Sequence, residues 1–272
     1  MSTQKQVIAS GAFDDIKSRD LRFLEEAAKL GELTVLLWTD DMIRQRTGQA
    51  PKFPLAERLY FLNAVRYVGK VIEPGASDIF DALPGTLKCD IWADYEPAAN
   101  PIRGKFAAKN KIAYRVFTSE ELKDFPEPPP MPSAQGRKKI IATGCYDWFH
   151  SGHVRFTEEV GAYGDLYVIV GHDANIRLLK GEGHPLLSQE ERRYVVGSIK
   201  FVKQALISSG EGWLDADPEI KTLKPDAYAV NEDGDKGGKR EYCEKNGIEY
   251  LVLKRTPAPG LPQRSSTDLR GF

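Results

Sequence analysis

The stretch Lys138-Lys-Ile-Ile-Ala-Thr-Gly144-Cys-Tyr-Asp-Trp-Phe-His150-Ser-Gly-His153-Val-Arg155 decides how the second half of this chain is read. Ile140, Ile141 and Ala142 form a short apolar run suited to a buried parallel strand. Gly144 breaks it, and His150, Gly152 and His153 follow where a helix is expected to begin. Histidines three residues apart share one face of a first helical turn. Gly152 removes a side chain between them and lets a ligand approach the backbone. A helix start carries free N–H groups and the positive end of the helix dipole, so it favours phosphate. Two imidazoles at such a place predict stabilisation of a reacting phosphoryl group rather than acyl chemistry. A lone histidine usually faces solvent or satisfies a local bond. Here strand, glycine turn and paired histidines occur in that order, and His150, His153, His172 and His184, the chain's four histidines, fall in one region.

Outward from this stretch, apolar runs alternate with helical patterns. The pattern predicts helices over 151–162, 189–199 and 237–246, and strands over 166–170 and near 201–206, 226–230 and 248–253. Such alternation implies an α/β fold with a parallel sheet covered on both faces. Ligands of these sheets gather at the carboxyl ends of the strands, the edge where the histidine pair belongs.

The first half repeats the second. Gly11-Ala-Phe-Asp14 aligns with Gly144-Cys-Tyr-Asp147, and Ser18–Glu26 with Ser151–Glu159. Glu57-Arg58 and Tyr60 match Glu191-Arg192 and Tyr194, and Leu87-Lys-Cys-Asp90 matches Leu223-Lys-Pro-Asp226. Between the copies, Phe125-Pro-Glu-Pro-Pro-Pro-Met-Pro is too proline-rich for helix or inner strand and reads as an extended, semi-rigid linker. The organisation read here is one domain over 1–124, a linker over 125–138 and a second domain over 139–272. The first copy has Lys17, Arg19 and Asp20 in place of His150, Gly152 and His153, and about Thr47 in place of Lys180. It therefore reads as a degenerate, non-catalytic copy kept for structure; the rival reading gives it a different ligand.

With 272 residues the chain is long for one small α/β domain and comfortable for two, and its 41% hydrophobic content is that of an ordinary globular protein. A formal charge of −1 gives no electrostatic case for nucleic acid or an anionic membrane as partner. Cys89, Cys145 and Cys243 are scattered and odd in number, against a disulfide framework and in favour of a reducing cytosol. No apolar run approaches a membrane span, and the first residues carry no signal-peptide pattern, so the expected location is cytoplasmic.

The run Gly-Cys-Tyr-Asp-x-x-His-x-Gly-His resembles the signature of the cytidylyltransferase-type nucleotidyltransferases. The resemblance continues through Tyr167-Val-Ile-Val-Gly-His172, Lys180-Gly181, Gln189–Tyr194, Ile199–Val202, Leu223–Asp226 and Arg264-Ser-Ser-Thr267. Within the superfamily the wording is nearest the ethanolamine-phosphate cytidylyltransferases, which carry two tandem domains. There the complete motif is usually in the first domain, a point at which this chain departs. The resemblance implies two Rossmann-like nucleotidyltransferase domains packed as an internal pseudo-dimer, with a homodimer as a further option.

It also implies a reaction: CMP passes from CTP to a phosphorylated small alcohol (phosphoethanolamine-like, glycerol phosphate or sugar phosphate), and pyrophosphate leaves. Adenylyl transfer from ATP is the alternative within the class, and a non-catalytic nucleotide-binding regulator the alternative outside it. The attacking phosphate is already an anion, so positioning and electrostatic stabilisation carry the catalysis. His150 and His153 are then donors to the α- and β-phosphate oxygens. Lys180, in a loop with Gly181 and Gly183, bridges nucleotide and acceptor phosphates. Gly144, Cys145, Tyr146, Asp147, Gly152 and Arg192 are expected on the nucleotide. Arg264, Ser265, Ser266 and Thr267 read as a helix start holding the outer phosphates. Trp148, Asp173 and Asp226 are candidates for the acceptor side. Mg2+ is expected with the triphosphate, carried on phosphate oxygens and water rather than in a protein cage. Zinc at His-x-x-His is set aside for want of a third ligand.

Overall fold

The structure, a computed structural model, describes residues 4–74, 80–266 and 269. It divides into two compact units, residues 1–124 and 125–272. The first contains β1 (Gln6–Gly11), α1 (Ser18–Ala28), β2 (Glu32–Leu37), α2 (Asp40–Thr47), α3 (Leu55–Ala64), β3 (Lys70–Ile72), β4 (Ile91–Tyr95), α4 (Pro101–Lys109) and β5 (Ala113–Phe117). The second contains β6 (Lys139–Gly144), α5 (Ser151–Tyr163), β7 (Asp165–Val170), α6 (Asp173–Lys180), α7 (Gln189–Gly197), β8 (Val202–Ile207), α8 (Asp217–Leu223), β9 (Ala227–Asn231), α9 (Lys239–Asn246) and β10 (Glu249–Leu253).

Each unit builds a parallel five-stranded sheet, in the orders β3-β2-β1-β4-β5 and β10-β9-β6-β7-β8. Each sheet therefore has its first strand at the centre and reverses direction of growth between that strand and the fourth. The reversal point is the crevice where open α/β sheets take ligands. In the second unit it lies between β6 and β9, whose last residues are Gly144 and Asn231.

The central strands are apolar on both faces because helices cover both. Ile140, Ile141 and Ala142 are all but inaccessible, and Ile141 packs with Ile169, Ile220, Tyr228, Val230 and Cys243. Burying one such aliphatic side chain contributes ~1.5–3 kcal/mol. The first unit has an equivalent cluster around Ile8, Leu36, Met42 and Trp92.

Two expectations change. The proline-rich segment is laid along its own unit rather than hanging as a spacer. Phe125 meets Tyr194 at 5.7 Å, Glu127 pairs with Arg193 at 2.8 Å, and Met131 N–H donates to the Lys203 carbonyl at 2.8 Å. Extended proline-rich chain suits that edge because it needs few partners of its own. Lys180, expected in a loop, is the last residue of α6, which is closed by Gly181 at φ 88°.

Candidate active site

The turn after β6 is shaped by one close approach. A Cβ on Gly144 would stand 2.8 Å from the Tyr146 ring, so only glycine lets that ring fold back over the strand end. Tyr146 itself has φ 57°, is buried, and sits 5.4 Å from the His153 ring. Burial raises its phenol pKa. These contacts place Tyr146 as packing under the site. Asp147 fixes the other side of the turn by accepting from Leu186 N–H at 2.9 Å and Leu187 N–H at 3.0 Å.

His150 is the N-cap of α5, and its Nδ1 accepts from Gly152 N–H at 3.0 Å. His153 Nδ1 accepts from His150 N–H at 3.3 Å. Both rings spend Nδ1 as an acceptor, so in the neutral state both carry their proton on Nε2. The ring centroids are 4.1 Å apart. Phe149 stacks on His153 at 5.2 Å and fixes its plane. Burial, then His150, then Arg255 push the His153 imidazole well below its usual pKa of 6.5. His153 is therefore held as a neutral N–H donor beside the His150 ring at a helix start, an arrangement that stabilises charge growing on phosphate oxygens. Gly152 is required here: a Cβ on it would meet the His150 ring at 2.8 Å and approach the Arg264 carbonyl at 3.6 Å.

The chain's last segment returns to this place. Arg255 Nη2 donates to the Arg264 carbonyl at 2.9 Å, and Ser266 Oγ donates to the Trp148 carbonyl at 3.4 Å. Arg255 is held in turn by an ion pair with Asp233 and by its N–H on Glu232 at 3.2 Å. Arg264 and Ser266 are thus beside the histidines, with Ser265 between them in sequence. The segment is irregular to Ser265 with a turn at Ser266, and the Ser265 carbonyl accepts from Leu269 N–H at 3.3 Å, the i to i+4 bond of a helical turn. Thr267 lies outside the described residues. Between this segment and α5 lies a cleft, open to solvent, whose walls include Gly152, Phe156, Asn231, Arg255, Thr256 and Arg264. Neither Arg255 nor Asn231 was among the expected site residues. Arg255 had a signal in its Arg-Thr pair, whereas Asn231 ends an apolar strand and had none.

Four other candidates, Arg192, Asp173, Asp226 and Lys180, are outside the walls of this cleft. Arg192 is fully buried and donates to the carbonyls of Leu187 (3.0 Å), Cys145 (2.7 Å) and Gly171 (2.8 Å) and to Asp173 (2.6 Å). It ties the turn together from below, and Asp173 is its partner. Arg58 does the same in the first unit, with the carbonyls of Phe53, Ala12 and Trp38 and with Asp40. The brace is thus present where the histidines are not. Asp226 precedes β9 and accepts from Lys139 N–H at 2.7 Å, as Asp90 accepts from Gln6 N–H at 2.8 Å. It is at the amino-terminal edge of the sheet, opposite the histidines. Lys180 is exposed at the end of α6. His172, also outside the pair, caps α6 by accepting from Asn175 N–H at 3.3 Å.

A cytidylyltransferase-like family model matches residues 141–271. Over 120 residues the chain is 38% identical to the FAD synthase of Ferroglobus placidus, spanning 43% of this chain and 75% of that protein. It is 30% identical over 135 residues to the FAD synthase of Methanocella paludicola, spanning 48% of this chain and 93% of that one. It is 36% identical over 93 residues to the bifunctional protein HldE of Geobacter sulfurreducens, spanning 34% of this chain and only 18% of that longer protein.

Proposed function

The chain belongs to the cytidylyltransferase-like nucleotidyltransferases, and from that premise we propose that it transfers CMP from CTP to a phosphorylated small alcohol and releases pyrophosphate. The observation that carries the reading is the histidine pair. Each ring is locked by a backbone N–H on its Nδ1, which puts the neutral ring's proton on Nε2. An incoming phosphate monoester attacks the α-phosphorus, the P–O bond to pyrophosphate breaks, and the two donors meet charge that grows on the oxygens. Donors fixed before the reaction need no reorganisation during it.

In this reading the nucleotide lies across Gly152, with its base toward the cleft at the β6–β9 crevice. Arg264, Ser265 and Ser266 are placed toward its phosphates. Lys180 reaches the site from the exposed end of α6 and supplies charge between donor and acceptor phosphates. Trp148 borders the acceptor side. Arg192, Asp173, Asp147 and Tyr146 shape the turn. Mg2+ accompanies the triphosphate. Carried by the triphosphate, the cation would sit on phosphate oxygens and water. The first unit, with Lys17 and Asp20 at the histidine positions, contributes structure and no turnover.

A second reading is adenylyl transfer from ATP, favoured by the two relatives named for synthesis of FAD, an adenine-containing product. A grid of CTP, ATP, UTP and GTP against phosphoethanolamine, glycerol phosphate, sugar phosphates and FMN, read as pyrophosphate release, separates the two. CTP turnover supports the first reading, and ATP turnover replaces it with the second. No turnover with any pair, from folded protein with Mg2+, overturns both.

A further inference from the structure

Asn231 closes β9 at the reversal point of the sheet and lines the cleft that begins at Gly152. Its Oδ1 is buried and accepts no hydrogen bond from any described residue. A buried acceptor left without a donor costs free energy that a binding partner can recover. The cleft it lines opens to solvent, so it can admit one flat part of a ligand. Phe156 gives that part an apolar wall, and Arg255, Thr256 and Arg264 give it a polar rim.

The first unit shows what happens when this position is filled. Its equivalent of Asn231 is Tyr95, the last residue of β4, and its equivalent of Phe156 is Phe23. The Tyr95 ring packs on Phe23 at a centroid distance of 5.2 Å. The Tyr95 hydroxyl reaches 3.5 Å from Asp20 Oδ1, and Asp20 stands where His153 stands in the second unit. The unit without histidines thus plugs this position with an aromatic ring. The unit with histidines keeps a short amide there, and its acceptor waits unpaired.

We propose that Asn231 is the base-reading residue of the nucleotide site, its Oδ1 accepting a hydrogen bond from the exocyclic amino group of a cytosine or adenine ring. The inference rests on the nucleotidyltransferase reading for the presence of a nucleoside triphosphate. Replacing that amino group by an oxo group, as in uracil against cytosine or hypoxanthine against adenine, removes the donor and brings a second lone pair against Oδ1. With Oδ1 turned to the base, Asn231 therefore discriminates within each pair at one atom, whichever pair it serves.

The test is equilibrium binding of CTP, UTP, ATP and ITP, each with Mg2+ and without acceptor, to the full chain and to Asn231→Leu and Asn231→Ala. Pyrophosphate release is measured in parallel. For the wild type we expect CTP over UTP, or ATP over ITP, by at least about tenfold, the worth of one base-edge hydrogen bond. Both variants should bring that ratio to within about threefold, less than the ~1 kcal/mol of one hydrogen bond, with an unchanged circular dichroism spectrum. Asn231→Ala guards against crowding by leucine. Which pair shows the ratio identifies the base. A wild type that does not separate amino from oxo bases, or folded variants that keep the ratio, overturns the proposal. Asn231-dependent preference with no pyrophosphate released from the triphosphate in the presence of any acceptor would keep the inference and overturn the transfer reaction. Pyrophosphate release with a preference indifferent to Asn231 would do the reverse.

Discussion

Replacing Arg192 by Met tests whether the buried brace or a substrate contact is its role. The guanidinium is 0% exposed and makes four hydrogen bonds, three to carbonyls and one to Asp173. Hydrogen bonds from a charged donor contribute ~1.5–3 kcal/mol each, but losses within one network do not add. Removing one member of a buried ion pair costs ~3–5 kcal/mol. Asp173 is 33% exposed and regains some hydration, which moves the expectation to the lower end, about 3–4 kcal/mol. For a unit of this size ~1 kcal/mol shifts melting by ~2–4 °C, so the unit carrying Arg192 should melt about 10 °C lower. Hydrogen exchange read peptide by peptide should confine the loss to residues 125–272, and Arg58→Met should confine an equal loss to residues 1–124. Unchanged exchange and melting, together with a KM for nucleotide raised more than about tenfold, would refute the brace and restore a phosphate contact.

Transplanting the first unit's cap as His150→Lys/His153→Asp should leave melting within a few degrees, while kcat falls by about 10²–10³ as for a lost oxyanion donor; retained turnover would overturn the histidine assignment. Lys180→Ala removes an exposed side chain, so stability should change by less than ~0.5 kcal/mol, while kcat/KM drops at least about tenfold; an unchanged kcat/KM would remove Lys180 from the site. His153 is held well below 6.5 by burial, His150 and Arg255, so the unfolded chain takes its proton first as pH falls below 6.5. Its contribution is therefore full above that pH and declines below it by up to ~1.4 kcal/mol per pH unit until the folded-state value is reached. Urea melts across this range should show a shallower slope for His153→Asn than for wild type, and equal slopes would refute it.

Residues 138–155 made the strand, the turn and the helix start legible because each has a local cause: an apolar run, a glycine with no room for Cβ, and a cap. The strands of the second unit followed from apolar runs for the same reason. Helices α6 and α8 were not legible. Each is short, α6 leaves Leu178 and Leu179 exposed, and so its apolar residues do not mark a buried face. Arg192 and Asp226 misled for a different reason. A charged residue repeated in a family-like motif fits a ligand contact and a buried structural bond equally well, and only burial and partners separate them. Asn231 was invisible because what marks it is a buried oxygen without a donor among the described residues, which no sequence pattern records.

The two units also answer whether the histidines are there only to start a helix. In the second unit the His150 N–H is taken by His153 Nδ1 at 3.3 Å; in the first the Lys17 N–H is taken by Asp20 Oδ2 at 2.8 Å. The Asp14 and Asp147 clamps, the Arg58 and Arg192 braces and the Asp90 and Asp226 clips are the same in both. A carboxylate thus satisfies the cap at a shorter distance than the imidazole does, and aspartate beside a helix N-terminus also gains from the dipole. Helix formation therefore gives no reason to prefer imidazole over carboxylate at the His153 position. What imidazole adds is a second nitrogen: while Nδ1 holds the backbone, Nε2–H remains to donate, which aspartate cannot do near neutral pH. The same turn with aspartate would set negative charge against an incoming phosphate, and with neutral imidazole it offers hydrogen bonds instead. The chemistry of the site is that difference, carried on a scaffold that both units share.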